Sequence, residues 1–165
     1  MLLTKSKVFL TLTKARLSFS VVFSTIAGYI LAADNVKILD ILLLLFGGYC
    51  IVGASNSFNQ IIEKEKDALM DRTKSRPLPT KQISKSNAFW ISVILTLIGL
   101  FVLYTINYKT AFFAAVSVFI YTCIYTPLKP ITPLSVFVGA IPGAIPFMLG
   151  WVAATNKFGI EPGTL

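Results

Sequence analysis

The chain has 165 residues, 55% of them hydrophobic, with a mean hydropathy of +0.76, which excludes an ordinary soluble domain and predicts a membrane protein. Its 15 Lys and Arg against 7 Asp and Glu give a net charge of +8, but the basic residues flank apolar runs, as the positive-inside rule requires, and this argues against nucleic-acid binding. There is no His, and Cys50 and Cys123 lie within apolar runs without a CxxC or Cys/His pattern, so neither zinc nor a disulfide is indicated and both thiols are expected as small core residues.

Residues 1–16 carry Lys5, Lys7, Lys14 and Arg16 ahead of an apolar run at 17–33. That run exceeds a signal-peptide h-region of roughly 7–15 residues, and another apolar segment follows at once, so it reads as a first transmembrane helix. A second span is expected at 38–58, where Gly47, Gly48, Gly53 and Ala54 permit close helix packing. Next comes a charged island, Asn59 to Pro79, within a polar connection covering 59–87. Pro77 and Pro79 stop any helix leaving the island and put Arg76 on a turn, and Ser86 or Asn87 is expected to cap the third span, 88–106. The fourth and fifth follow at 110–126 and 133–155, separated by the punctuation of Pro127, Pro130 and Pro133. Each is near the ~20 residues needed to cross a bilayer. The fold class expected is therefore all-α, a polytopic transmembrane helix bundle with five helices. With the N-terminus cytoplasmic, the inside segments hold 12 Lys and Arg and the outside segments only Lys37, Lys109 and Lys157, which places 59–87 in the cytoplasm.

Within the island, Asn59, Glu63, Asp67 and Asp71 recur every four residues and share one broad helix face. Hard oxygen donors at this spacing suit Mg²⁺, which is usually held by one or two carboxylates together with substrate phosphates. Arg72, Lys74 and Arg76 follow, cations suited to phosphate oxygens. A solvated helix whose acids are offset by Lys64, Lys66 and Lys74 accounts for the spacing equally well.

The order of these residues adds information. Asn59-x3-Glu63-x3-Asp67 followed by Arg72-Thr73 and Arg76-Pro77-Leu78 resembles the first signature of the UbiA superfamily of intramembrane prenyltransferases, where Asp is usual at the position of Glu63. Tyr125-Thr126-Pro127-Leu128-Lys129, the Gly139-Ala140-x2-Gly143-Ala144-x-Pro146 pattern with Gly150-Trp151, and Thr13-Lys14-x-Arg16-Leu17-Ser18 resemble the protohaem IX farnesyltransferase branch. The resemblance implies a nine-helix fold in a bacterial inner membrane, with diphosphate gripped between two acidic motifs. Only the first motif is found here, and the chain reads as the N-terminal part of such an enzyme. The resemblance further implies transfer of farnesyl from farnesyl diphosphate to the 2-vinyl group of haem b. Asn59, Glu63 and Asp67 would hold Mg²⁺; Arg72, Arg76, Lys74 and Lys129 would meet the diphosphate; Tyr125 would face the allylic cation. Asp71 varies in the family pattern and reads as a solvated acid. Two other readings stay open: a UbiA-type aromatic prenyltransferase of quinone biosynthesis, and a non-catalytic membrane subunit or transporter half.

Overall fold

In a computed structural model of the chain, which describes residues 4–158, the apolar runs form helices and the described residues contain no strand. A short α1 (Lys5–Leu12) precedes five helices long and apolar enough to cross a membrane: α2 (Ala15–Ala32), α3 (Ile38–Leu69), α4 (Lys85–Tyr104), α5 (Tyr108–Leu128) and α6 (Ser135–Thr155). Helix α5 is not uniform. Its α-helical part, Tyr108–Phe119, passes into a π turn at Ile120–Tyr125 before a last α-helical turn at Thr126–Leu128.

Helix α3 is the axis of the bundle, touching α1, α2, α4 and α5. Its 32 residues make a rod about 48 Å long at 1.5 Å per residue, well beyond a hydrocarbon core of about 30 Å. The apolar run ends at Phe58, and the helix implied by the four-residue rhythm of the island continues unbroken from it to Leu69. An α-helix keeps its backbone hydrogen bonds inside itself, so it carries polar side chains out of lipid without exposing a peptide group. Only residues 70–84 connect it to α4. That helix begins at Ser84, whose hydroxyl accepts the Asn87 backbone N–H at 3.1 Å; Ser86 and Asn87, the expected caps, lie inside the first turn.

The main core joins Tyr29, Leu44, Ile51, Leu103, Val118 and Leu149 between the five long helices. A smaller cluster of Leu12, Ile61, Leu78 and Ala88 sits at the charged end and fastens α1, the connection and the start of α4 onto α3. At the other end, Asn107 donates to the Val152 and Ala153 carbonyls of α6 and accepts from the Thr110 backbone N–H. Phe23, Leu97, Phe101 and Phe137 point outward, more than 60% exposed, and lipid is the solvent that suits such a surface. Cys50 is buried as expected, whereas Cys123 is exposed. Thr122 and Thr126, four residues apart, take the inner face of α5 and turn Cys123 outward.

Helices α2 and α6 approach through a pair of glycines. A Cβ on Gly150 would overlap the Thr25 carbonyl oxygen, and one on Gly28 would overlap the Phe147 carbonyl oxygen. Both obstacles are backbone, so a methyl group is accommodated only by separating the helices. Gly143 on α6 differs, since a Cβ there meets nothing within 4 Å. We expect Gly150→Ala to destabilise the bundle by about 1–3 kcal/mol, the usual range for overpacking, and Gly143→Ala to leave it unchanged. Thermal unfolding in detergent micelles compares the two; equal melting temperatures would remove the glycine contact from the account.

Candidate active site

The last three turns of α3 carry Asn59, Glu63 and Asp67, one helical repeat apart, into a cavity of about 330 Å³ at the charged end of the bundle. Asn59 and Asp67 are 3% and 4% exposed. Each is partnered, as buried polar groups must be. The Asn59 amide nitrogen donates to Thr126 Oγ1 at 3.3 Å, and its oxygen accepts from Lys14 Nζ at 3.4 Å. Arg76 Nη1 donates to Asp67 Oδ2 at 2.6 Å, and Lys129 Nζ donates to Glu63 Oε1 at 3.1 Å.

These contacts gather residues from four parts of the chain. Arg72, Thr73 and Arg76 come from the connection after α3, where the Thr73 hydroxyl donates to the Asp67 carbonyl at 2.9 Å and occupies one of the acceptors a helix end leaves free. Lys129 comes from the chain just after α5, and Tyr121 and Tyr125 from the π turn. The hydroxyl of Thr126 donates back to the Tyr121 carbonyl at 2.8 Å, which orients it toward Asn59. Lys14 comes from the break between α1 and α2.

Lys14 has a left-handed backbone, φ 48°, unusual for a residue with a side chain. The strain is offset by a set of hydrogen bonds on the carbonyls that end α1. Gln60 Nε2 donates to the Thr11 and Leu12 carbonyls at 3.1 and 2.8 Å, and Ser18 Oγ donates to the Thr13 carbonyl at 2.7 Å. Asn56 Nδ2 reaches Ser18 Oγ at 3.3 Å. The resulting turn aims the Lys14 ammonium into the cavity. Burial lowers its pKa from 10.5, the Arg76 guanidinium lowers it further, and Glu63 and Asp67 pull the other way.

Not every candidate from the island converges. Helix α3 ends at Leu69, so Asp71 falls off the four-residue rhythm; it is almost fully exposed and pairs with Lys74 at 2.6 Å. Neither lines the cavity. Conversely, Lys14, Lys66 and Tyr121 line it without having been singled out as site residues, and Thr126 supports it. The Thr13-Lys14 pattern was the one sequence signal for Lys14.

Five cations, Lys14, Lys66, Arg72, Arg76 and Lys129, face two carboxylates, Glu63 and Asp67, an excess of positive charge that suits an anionic ligand. Among the described residues no three His, Cys, Asp or Glu side chains form a metal-holding group. Two carboxylates and an amide on one face instead match the donor set of Mg²⁺, whose shell is completed by water and by phosphate oxygens of a substrate. Tyr121 and Tyr125 also form a wall of a second, apolar cavity of about 200 Å³, bounded by Ile51 and by Gly139, Pro142 and Pro146 of α6. A cation-lined chamber and an apolar one thus meet at two aromatic rings. A Cβ on Gly139 would lie 2.6 Å from Tyr125 Cε2, so the glycine leaves room for that ring.

Comparison with known proteins agrees with this architecture. The chain is 62% identical over 160 residues to the protoheme IX farnesyltransferase of Flavobacterium psychrophilum, covering 95% of this chain and 53% of that one. It is 62% identical over 157 residues to the protoheme IX farnesyltransferase of Christiangramia forsetii, covering 95% and 52%. The chain therefore spans about half the length of the curated relatives it matches. Among solved structures, it resembles one described as giving structural and mechanistic insights into digeranylgeranylglyceryl phosphate synthase in membranes, with a TM-score of 0.84, 26% identity, and coverage of 92% and 54%. A UbiA homolog from Archaeoglobus fulgidus, solved bound to DMAPP and Mg²⁺, shares the fold with a TM-score of 0.82 at 18% identity, covering 92% and 56%. Residues 21–165 match the UbiA prenyltransferase family, and with the helical fold and its cation-rich cavity this places the chain: it belongs to that family.

Proposed function

We propose that this chain serves the transfer of a farnesyl group from farnesyl diphosphate to the 2-vinyl group of haem b, giving haem O. The carrying observation is the junction of the cation-rich cavity with the apolar chamber at Tyr121 and Tyr125. An amphiphile with a diphosphate head and an isoprenoid tail fits across it, head among the lysines and arginines and tail against Ile51 and Pro142. The similarity to relatives named protoheme IX farnesyltransferase supports haem b as acceptor.

Asn59, Glu63 and Asp67 would hold Mg²⁺, which would supply charge neutralisation on the diphosphate oxygens when bound. The chain's own residues do the remainder. Arg72, Arg76, Lys14 and Lys129 bind the diphosphate, which exchanges with Asp67, Asn59 and Glu63 for their cations. The C1–O bond of farnesyl diphosphate breaks with its electron pair leaving on diphosphate, and the cations stabilise that charge as it develops. The Tyr125 ring faces the allylic cation through its π electrons. The vinyl π pair of haem b then forms the new C–C bond to C1, and water adds to the resulting porphyrin-side cation with loss of a proton. Until that step the apolar walls exclude water from the farnesyl cation.

The charge bias of the chain supports a bacterial inner membrane location with the cavity end of the bundle in the cytoplasm. That orientation is checked with a single cysteine at the exposed Ser75, Cys50 and Cys123 having been replaced. The thiol is expected to resist an impermeant maleimide in intact cells while Lys109→Cys reacts; labelling at both would reverse the orientation.

The reaction is checked in cells that depend on the native gene for haem O, by extracting and separating their haems. Asp67→Asn keeps the shape and removes the charge, and we expect a loss of about 3 kcal/mol in transition-state stabilisation, on the order of a hundredfold in rate. Asp71→Asn is expected to stay near the parent level. Equal losses would displace the site from the Asn59–Asp67 face, and prenylated quinones in place of haem O would overturn the acceptor.

A further inference from the structure

A third cavity, of about 550 Å³, lies between α1 and the start of α4, apart from the two described above. Its walls divide by polarity. The rim carries Lys5 from the first turn of α1, then Lys81, Gln82 and Asn87 from the end of the connection and the first turn of α4. The floor is Phe9 together with Trp90 and Ile94, which run down the outer face of α4. Trp90 is 59% exposed and Ile94 52% exposed, so on the bilayer side the cavity opens to lipid.

Three observations point to its occupant. Among the described residues no carboxylate lines the cavity, and neither Lys5 nor Lys81 makes an ion pair or side-chain hydrogen bond, whereas Lys14, Lys74 and Lys129 each have a side-chain partner. The amide oxygen of Gln82, a residue that lines the cavity, is one of three buried side-chain oxygens without a hydrogen-bond partner among the described residues, a state a buried polar group rarely keeps; the amide also carries two N–H donors that suit a phosphate oxygen. A tryptophan at the end of a membrane span, with lysines above it and aliphatic side chains below, sits at the depth of lipid headgroups. The volume is within the range of ordinary ligand sites.

We propose that this cavity binds an anionic phospholipid of the cytoplasmic leaflet, with its phosphate between Lys5 and Lys81 and one acyl chain along Trp90 and Ile94. Bound there, the lipid bridges α1 to α4. Helix α1 is held to α3 at its other end by Gln60 and leads directly into Lys14, so the lipid fixes the element that delivers a cation to the active site. The proposal does not depend on which acceptor is prenylated.

The chain has two tryptophans, so Trp151→Phe leaves Trp90 as the only indole reporter. The full chain is placed in nanodiscs of phosphatidylcholine doped with brominated phosphatidylglycerol or, separately, brominated phosphatidylcholine, and Trp90 quenching is measured against bromolipid fraction. With two lysines near the surface, phosphatidylglycerol is expected to be favoured roughly tenfold or more, and Lys5→Gln with Lys81→Gln to abolish the preference. The control pair, Lys7→Gln with Lys85→Gln, changes the same charge on exposed residues outside the cavity and is expected to retain it. Helicity by circular dichroism confirms that both pairs remain folded. Equal quenching by the two lipids overturns the proposal, as does an equal loss in the control pair, which would reduce the effect to general surface charge. Displacement of the quenching by millimolar glycerol phosphate would also overturn it, because the site would then take a soluble phosphate.

Discussion

One helix must change solvent halfway along its length, and the rest of the molecule is arranged around that change. Helix α3 begins among lipid-facing leucines and ends among acids and lysines, and between the two it buries Ser55, Asn56, Ser57, Asn59 and Gln60 in succession. A polar stretch at that depth is tolerated only where protein covers it and supplies partners. The cover comes from the α1–α2 break, whose free carbonyls take the Gln60 and Asn56 amides, and from Thr126 of α5 against Asn59. The geometry of the site follows from those bonds, which leave only Ser57 Oγ and Gln60 Oε1 of this stretch without a partner among the described residues: Lys14 and Thr126 are held where α3 needs hydrogen bonds, and the cavity is the space left between them.

The same arrangement explains how so many charges sit close to a bilayer. Asp67 and Glu63 are each matched by a cation from a different segment, so neither carboxylate is a buried charge left alone, the situation that is most destabilising. In the proposed reaction binding would be an exchange, in which cations already in place turn from carboxylates to phosphate oxygens and release the carboxylates to a metal. Little reorganisation of the backbone is needed, because Arg76 is anchored through the Leu78 and Ile61 cluster and Lys129 through the end of α5.

Much of this was legible in the residues themselves. Apolar runs near the length of a bilayer marked the crossings, and a period of four brought Asn59, Glu63 and Asp67 to one face. The end of α3 was less visible, since the rhythm runs on to Asp71 while the helix stops at Leu69. Asp71 kept the rhythm, and only the family pattern marked it as the solvated acid it is, because nothing in Asp67-Ala68-Leu69-Met70 itself stops a helix; the stop lies just beyond, where Thr73 and Arg76 fold back on Asp67. Lys14 was hidden for a related reason. No glycine announces its left-handed turn, and the interactions that hold it come from a helix more than forty residues away.

The π turn in α5 has a further meaning for how such chains are compared. A π turn is an α-helix that has taken in one extra residue, its hydrogen bonds running five positions back instead of four. It explains why the Thr126 backbone N–H donates to the Tyr121 carbonyl, five residues back. Removing a single residue from this segment would restore a regular helix with better hydrogen bonding, yet swing everything beyond it by about 100°. Lys129 would then leave Glu63, and Thr126 would leave Asn59. A one-residue gap within α5 is therefore not a change of loop length. It rewrites the register of the active-site wall, and alignments of related chains should place such a gap inside the helix, where its effect on aim is visible.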